Sequence, residues 1–319
     1  MLKHNKIPKR ILWIVITVFV FMNIIVYFHA SKFTHFENST IVKTKDAHHL
    51  SMGQKIKILF LGIRNPRPEN KITPNRVFET IRLKSNKKIE CWFIKAISPK
   101  GTVVLFHGYS GEKSSMLDKA EVFLQLDYNT MLVDFMGSGG SEGNQTTLGF
   151  YEAEEVRTVF EYLKKQDKKN IILFGTSMGA VAIMKAQSEY KLDTKAIIIE
   201  CPFGSMLETV KTRFKGMGIQ SFPMAHLMVF WGGLQNNFNA FKHNPVEYAK
   251  GINCPTLLLY GLRDEKVSKQ EIDNIFLHLQ GRKVLKTYQN AGHENYLNKY
   301  KDEWTADVAT FINSVANEQ

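Results

Sequence analysis

The sequence predicts an α/β protein with a mostly parallel central sheet, helices on both faces and one N-terminal transmembrane helix. Short, continuous apolar runs such as GTVVLF (101–106) and NIILFG (170–175) have the length and composition of strands buried on both faces. Segments with helical apolar spacing, such as 150–166, separate these runs, as expected when helices connect parallel strands. A long uncharged stretch precedes all of them and supplies the transmembrane helix.

That uncharged stretch is ILWIVITVFVFMNIIVYF, residues 11–28. As a helix it spans about 27 Å, close to the thickness of the hydrocarbon core of a bilayer. Residues 1–10 contain four basic residues and no acid, which predicts a signal anchor over 11–30 with a cytoplasmic N-terminus and an extracytoplasmic remainder. The Lys- and Asn-rich composition is compatible with a bacterial inner membrane. A cleaved signal peptide is the alternative, but the bulky Phe28 occupies the −3 position before Ala30.

The rest of the chain predicts a stalk and one domain. Residues 31–50 are polar and predict the stalk, whereas 51–319 predict a single α/β domain. Within that domain, 51–63 fit either a short amphipathic helix or a strand. RVFETIRL and KKIECWFIKA predict a hairpin around KSNK. The further predicted strands are GTVVLF, NTMLVDF, NIILFG, KAIIIE, PTLLLYG and KVLKTYQ.

One segment, residues 203–245, interrupts the alternation of strand and helix. It is longer than a usual connection between strands and rich in Phe and Met. Ordinary helices that cover the sheet are one interpretation. The other interpretation is a cap over a binding pocket, with an apolar lining that selects an acyl or another hydrophobic group.

Charge and cysteine content exclude several classes of protein. The formal net charge is +12, but the lysines are spread along the chain and no nucleic-acid-binding motif is present, so no nucleic acid is expected as a partner. Cys91, Cys201 and Cys254 are odd in number and lack metal-ligand spacing, which predicts small buried side chains. We expect no metal and no organic cofactor.

Three residues whose side chains can take part in catalysis follow three different predicted strands. Ser177 comes after NIILFG, Asp264 after PTLLLYG and His293 after KVLKTYQ. Because the carboxyl ends of parallel strands share one edge of a sheet, these side chains are expected to meet. Serine, acid and histidine in this chain order are typical of a hydrolase with a nucleophile elbow. Glu200, directly after KAIIIE, is an alternative acid.

The residue types suit acyl transfer. A serine hydroxyl needs a base with a pKa near neutrality, and an acid orients that base and stabilises its charged form. Gly175 and Gly179 flank Ser177, as a strained turn between strand and helix requires. The backbone N–H groups of Met178 and Tyr109 are candidates for the oxyanion hole. His107 and Gly108 precede Tyr109 and are expected to support that loop.

These motifs resemble the α/β-hydrolase superfamily, and within it membrane-anchored serine hydrolases related to prolyl oligopeptidases and monoacylglycerol lipases. The resemblance covers roughly 51–319. It implies Ser177 as nucleophile, Asp264 as triad acid and His293 as base, with Tyr109 and Met178 as oxyanion donors. One departure is Phe135-Met136 where relatives often have an arginine-glycine pair, in a turn with a structural role. The matching motifs are HGYSGE, DFMGSGGSEG, TTLGFYEAEEV, GTSMG, GLRDEKV and AGHENY.

The resemblance implies hydrolysis of a carboxylic ester of a lipid or another acyl group, through an acyl-serine intermediate. A serine aminopeptidase or oligopeptidase and an acyl-protein thioesterase are alternatives. A membrane-anchored binding protein with an inactive site is an alternative of another class.

Overall fold

The computed structural model describes residues 8–37, 40–44 and 50–316, and its central feature is one eight-stranded sheet. The strands are β1 (Phe78–Lys84), β2 (Lys88–Ile94), β3 (Gly101–Phe106), β4 (Tyr128–Asp134), β5 (Ile171–Thr176), β6 (Ala196–Glu200), β7 (Thr256–Gly261) and β8 (Lys283–Tyr288). Their order is β1-β2-β4-β3-β5-β6-β7-β8. β2 runs antiparallel to β1 and β4, and all other pairs are parallel. The predicted α/β-hydrolase fold with its mostly parallel sheet is therefore confirmed.

Eleven helices accompany the sheet in the described ranges. They are α1 (Lys9–Thr34), α2 (Met52–Leu61), α3 (Leu117–Gln125), α4 (Glu152–Lys165), α5 (Met178–Tyr190), α6 (Met206–Gly216), α7 (Met224–Gln235), α8 (Pro245–Ala249), α9 (Lys269–His278), α10 (Tyr296–Lys299) and α11 (Lys301–Ala316).

The sheet separates two apolar cores. Along β3, Val104 and Phe106 belong to the core that contains α4, α5 and α9, whereas Val103 and Leu105 belong to the core that contains α3 and α11. Side chains of a strand point alternately to opposite faces, so a strand that is apolar at every position must be covered on both sides. This explains why central strands such as β3 are nearly continuous apolar runs.

The structures of the two segments before β3 have simple local causes. Within 51–63, Met52–Leu61 form the helix α2, because the side chain of Ser51 accepts from the N–H of Gln54 and the Gln54 side chain accepts from the Ser51 N–H. β1 and β2 form the predicted hairpin, whose turn is closed by a hydrogen bond from the Ser85 N–H to the Lys87 carbonyl.

The N-terminal apolar stretch forms α1, one continuous helix of 26 residues. By length and composition it can cross a membrane, although a signal sequence meets the same criteria, and most of its apolar window is exposed. The N-terminal residues 1–7 of the predicted basic flank lie outside the described residues.

The predicted stalk, 31–50, differs from an isolated linker in its described part. Residues 31–34 continue α1, and His35 and Glu37 form β-bridges to Gln145 and Pro66. Apolar side chains cause this docking, since Phe36 is buried and its ring lies 6.3 Å from the ring of Tyr109. Residues 38–39 and 45–49 of this segment lie outside the description.

The segment 203–245 forms α6 and α7 between β6 and β7. Its residues Met206, Val210 and Phe214 join the core, as the first interpretation expects. Phe222 and Phe230 are exposed instead, and α6 supplies residues to a cavity beside Tyr109. The segment therefore packs on the core and leaves part of its apolar surface exposed. For brevity we call α6 and α7 the cap helices, while their role as a cap stays a prediction.

Candidate active site

Ser177 occupies the tight turn between β5 and α5. Its backbone has φ 51° and ψ −110°, a strained conformation for a residue with a side chain. The turn requires glycine on both sides. A Cβ on Gly175 would lie 2.5 Å from the carbonyl carbon of Gly179, and a Cβ on Gly179 would lie 2.4 Å from the carbonyl oxygen of Phe106. The glycine spacing seen in the sequence is thus a packing requirement of the turn that presents Ser177.

The structure brings Ser177, His293 and Asp264 together in one chain of hydrogen bonds. The Oγ of Ser177 lies 3.0 Å from Nε2 of His293. Nδ1 of His293 lies 2.7 Å from Oδ2 of Asp264, a carboxylate with no exposed side-chain surface. The other oxygen, Oδ1, accepts from the N–H groups of Lys266 and Val267 and so fixes the carboxylate. With Nδ1–H donating to Asp264, Nε2 is left as the acceptor for the serine proton.

The alternative acid, Glu200, has other partners. It is buried, and its carboxylate accepts from the indole N–H of Trp304 at 2.6 Å and from the hydroxyl of Thr176 at 3.0 Å. The Nζ of Lys119 is 3.8 Å away. The geometry therefore pairs His293 with Asp264, and Glu200 ties α11 to the end of β5.

The loop after β3 lies directly against Ser177. A Cβ built on Gly108 would be 3.6 Å from the Cβ of Ser177, so the loop that contains Tyr109 packs against the serine. Met178 is the first residue of α5, so its N–H has no acceptor within the helix. Of the two residues predicted as oxyanion donors, Met178 thus adjoins Ser177 and Tyr109 follows the glycine that contacts it.

His107 has the contacts of a supporting residue. Its ring is buried, with Nδ1 2.8 Å from the carbonyl oxygen of Gly108 and Nε2 accepting from the Phe135 N–H at 3.1 Å. Burial lowers the pKa of His107, which keeps the imidazole neutral. The ring therefore joins the oxyanion loop to the end of β4.

Sequence reasoning missed two neighbours of the site. The hydroxyl of Tyr109 donates to the carbonyl of Phe33 in α1 and accepts from the amide of Asn65, both at 2.8 Å. The N-terminal helix is thus bonded to the oxyanion loop. The sequence gives no sign of this contact, because Phe33 and Tyr109 are far apart in the chain.

Cys201 is the second missed neighbour. It directly follows β6 with φ 40°, and its sulfur belongs with Asp264 and His293 to a group whose potential ligand atoms lie within 4.8 Å of one another. Since Nδ1 of His293 is already hydrogen-bonded to Asp264, this group is arranged as a triad with a thiol beside it. The position of Cys201 at the carboxyl end of β6 was the signal in the sequence that could have predicted its place in the site.

The surroundings of His293 affect its basicity. Burial lowers the pKa of its imidazole, but the adjacent Cys201 and the hydrogen bond to Asp264 raise it more, so the pKa of His293 lies above the ordinary value. The imidazole of His293 therefore stays protonated to a higher pH than that of an ordinary histidine.

Comparison with known proteins agrees with this architecture. The family described as serine aminopeptidase, S33, matches residues 97–220, which include Ser177 but end before Asp264 and His293. The Pyrococcus furiosus esterase Pf2001 superposes with a TM-score of 0.66 at 22% identity, over 79% of this chain and 99% of that chain.

The chain therefore has the α/β-hydrolase fold. Among curated proteins, the uncharacterized protein YqkD of Bacillus subtilis is 25% identical over 218 residues, which cover 67% of this chain and 72% of that protein. The alpha/beta hydrolase domain-containing protein aho-3 of Caenorhabditis elegans is 25% identical over 193 residues, 58% of this chain and half of that protein. The partial family match and the esterase neighbour support hydrolase activity.

Proposed function

We propose that this α/β-hydrolase cleaves carboxylic esters of lipid-like acyl groups through an acyl-serine intermediate. The hydrogen-bond chain from Ser177 through His293 to Asp264 carries the proposal. Nε2 of His293 removes the proton as Oγ attacks the ester carbonyl, and the N–H groups of Met178 and Tyr109 stabilise the oxyanion. His293 then protonates the leaving alcohol, and water attacks the acyl-serine by the same route in reverse.

The family match to serine aminopeptidases makes peptide hydrolysis the second candidate. An aminopeptidase has to bind the positive N-terminal ammonium of its substrate, for which carboxylates are the natural partners. The cavity beside Tyr109 has the opposite character. Its lining includes four basic residues, Lys43, Arg64, Arg213 and Lys266, and one acidic residue, Glu265. This charge balance favours an acyl ester over a peptide.

A matched pair of substrates tests the choice. The p-nitrophenyl esters of leucine and of 4-methylpentanoic acid differ only in the α-ammonium group. We expect kcat/KM for 4-methylpentanoate to exceed that for leucine by roughly tenfold or more, because the basic cavity repels the ammonium. The corresponding p-nitroanilides should be far poorer substrates. A preference for the leucine compounds, with rapid anilide cleavage, would establish the aminopeptidase instead.

We further propose that α1 is retained as a membrane anchor. The second half of α1 is packed into the fold, since Val26 and Ala30 are buried. Asn23 accepts from the indole N–H of Trp231 at 3.0 Å, and the Gln235 side chain donates to the carbonyl of Tyr27. Loss of residues up to Ala30 would uncover the inner face of α7 to water.

The outer face of α7 extends the apolar surface of α1. Phe230 and Leu234 are 49% and 57% exposed, and they lie on the helix that packs beside the last third of the apolar stretch. No charged residue occurs in α7. We therefore expect α7 to enter the membrane interface beside the anchor.

Retention of the anchor has a direct measurement. Full-length protein, expressed with a C-terminal tag in a bacterium, should stay in the membrane pellet after carbonate washing and have the mass of the 319-residue chain plus the tag. A mature protein that begins after Ala30 would show that the helix is a cleaved signal peptide. Retention in the membrane with an intact N-terminus would distinguish the anchor from that alternative.

A further inference from the structure

Two cavities meet at Arg213, on the cap helix α6. The first, of about 140 Å³, is the basic cavity beside Tyr109, and its lining also includes Phe33 and Asn65. The second, of about 50 Å³, is an apolar slot between α1 and the cap helices. Phe33 and Arg213 line both. The apolar slot is otherwise lined largely by apolar side chains, among them Ala30, Leu148, Met206, Val210, Met228 and Phe238.

Arg213 is a half-buried cation without an acidic partner. Its guanidinium carbon lies 5.3 Å from the ring centroid of Phe33 and 5.8 Å from that of Tyr109. Across residues 8–37, 40–44 and 50–316, no carboxylate forms an ion pair with it. A guanidinium held against aromatic faces has lost part of its hydration and keeps its donors available for a planar anion.

The basic cavity is next to the catalytic elements. Tyr109 belongs to the loop that lies on Ser177, and Glu265 and Lys266 directly follow Asp264. A molecule bound in this cavity therefore contacts both the oxyanion loop and the loop of the triad acid. The apolar slot begins on the other side of Arg213, towards α1 and the proposed membrane surface.

We propose that Arg213 binds an anionic group of an amphiphilic acyl ester, so that the substrate class is an acyl ester with a phosphate or carboxylate near the scissile bond. The inference rests on the proposed function and names its substrate. The anionic group lies in the basic cavity, and only the carbon atoms of the hydrocarbon chain nearest the ester enter the apolar slot, since a volume of about 50 Å³ cannot hold a whole chain. The two cavities match the charged and apolar parts of such a molecule, and the basic cavity is bordered by Tyr109, whose loop packs against Ser177.

The source of the substrate follows from the position of the slot. The slot is bounded by α1 and by α7, the helices whose exposed apolar faces are proposed to contact lipid. A chain that leaves the bilayer beside α1 reaches the slot without crossing water. A lipid with an anionic headgroup therefore fits the site better than a soluble ester that carries the same anion.

Two lipids with one acyl chain test the proposal. They are 1-oleoyl-lysophosphatidylglycerol, which carries one phosphate, and uncharged 1-oleoylglycerol, both presented to full-length protein in the same neutral detergent. For the wild type we expect kcat/KM to favour the anionic ester by at least tenfold. Arg213→Gln should lower kcat/KM for the anionic ester by about 10- to 100-fold, the range of a lost charge-assisted hydrogen bond. The value for 1-oleoylglycerol should change much less.

Matched variants separate recognition from structure. Arg213→Lys keeps the charge and should restore a large part of the anionic preference. Lys215→Gln changes an exposed charge on the same helix and should leave the ratio of the two kcat/KM values as in the wild type. Because Arg213 lies in the last turn of α6, a purely structural arginine would lower both rates alike and reduce the melting temperature. Such a parallel loss would overturn the proposal.

Two further results distinguish the possible failures. If the wild type cleaves both oleoyl esters equally, the anionic substrate class is wrong while the ester hydrolase stands. If neither ester is cleaved and Ser177 is not labelled by a fluorophosphonate, the proposed function itself fails. An acetyl ester of glycerol phosphate tests the slot, since turnover equal to that of the oleoyl lipid would exclude a bound chain.

Discussion

Replacing Ser177 by alanine is expected to reduce ester turnover by roughly four to six orders of magnitude. The hydroxyl of Ser177 is the atom that would form the acyl intermediate, and members of a triad act as a unit, so no other residue replaces it. Labelling by a fluorophosphonate probe should disappear with activity. Alanine removes one oxygen and leaves the strained turn in place, so the melting temperature should change by only a few degrees.

The matched control is Ser98→Ala, which removes a hydroxyl from an exposed bend far along the chain from the elbow. It should keep full labelling and full turnover. Labelling that persists in Ser177→Ala would show that another nucleophile reacts and would remove the triad assignment. If the folded wild type is not labelled, the alternative of a membrane-anchored binding protein with an inactive site would be favoured.

Replacing Asp264 by asparagine is the second change with a large expected effect, a fall in kcat of roughly 10³- to 10⁴-fold. Asparagine has nearly the same shape, but it removes the charge that stabilises the imidazolium, and its amide no longer favours the tautomer with Nδ1–H. The measurement is kcat for a soluble ester, with circular dichroism to confirm folding. The variant should remain folded, since the Oδ1 position still accepts from the loop N–H groups.

Glu200→Gln is the matched control, because Glu200 is a buried carboxylate at the end of the neighbouring strand. It loses charge opposite Lys119 and a strong acceptor for Trp304, so the cost is expected in stability. Its kcat should remain within about tenfold of the wild type. A greater loss of kcat in Glu200→Gln than in Asp264→Asn would transfer the role of triad acid to Glu200.

The pH profile distinguishes Asp264 further. Catalysis needs neutral His293, and the pKa of this group is raised, so activity in the wild type should fall as pH decreases through a value above the ordinary imidazole pKa of about 6.5. Asp264→Asn removes one of the contributions that raise the pKa, which should move the acidic limb of kcat/KM to lower pH. An unchanged limb in this variant would mean that the limb reports another group.

Much of the fold and the site was accessible from the sequence because the signals are local. Most of the parallel strands are largely apolar and of the expected length, and Ser177, Asp264 and His293 each follow a parallel strand. The carboxyl ends of parallel strands lie at the same edge of the sheet, so residues that follow different strands in the sequence could be expected to lie close together in space. The requirement for Gly175 and Gly179 beside Ser177 is also local, because a Cβ on either residue would clash with nearby backbone atoms.

Other features depended on contacts between residues far apart in the chain. Glu200 and Asp264 lie at the carboxyl ends of neighbouring strands, and their hydrogen bonds separate their roles. Asp264 contacts His293, whereas Glu200 accepts from Trp304 of α11. The polar composition of 31–50 gave no indication that residues 31–37 would pack against the α/β domain. The burial of Phe36 depends on Tyr109, which is far away in the chain. Arg213 carried no sequence signal, since a basic residue near the end of a helix is ordinary.

The sequence by itself determined the α/β architecture, the anchor-like first helix and the three residues of the catalytic candidate. These properties follow from apolar periodicity and from residues at the ends of strands, which act over a few positions. Tertiary structure alone decided which acid faces His293, and it brought α1 against α7 through Asn23 and Trp231, 208 positions apart. It also placed Arg213 between two cavities. Such arrangements depend on the packing of complementary surfaces, and no local pattern encodes which distant surface each element will meet.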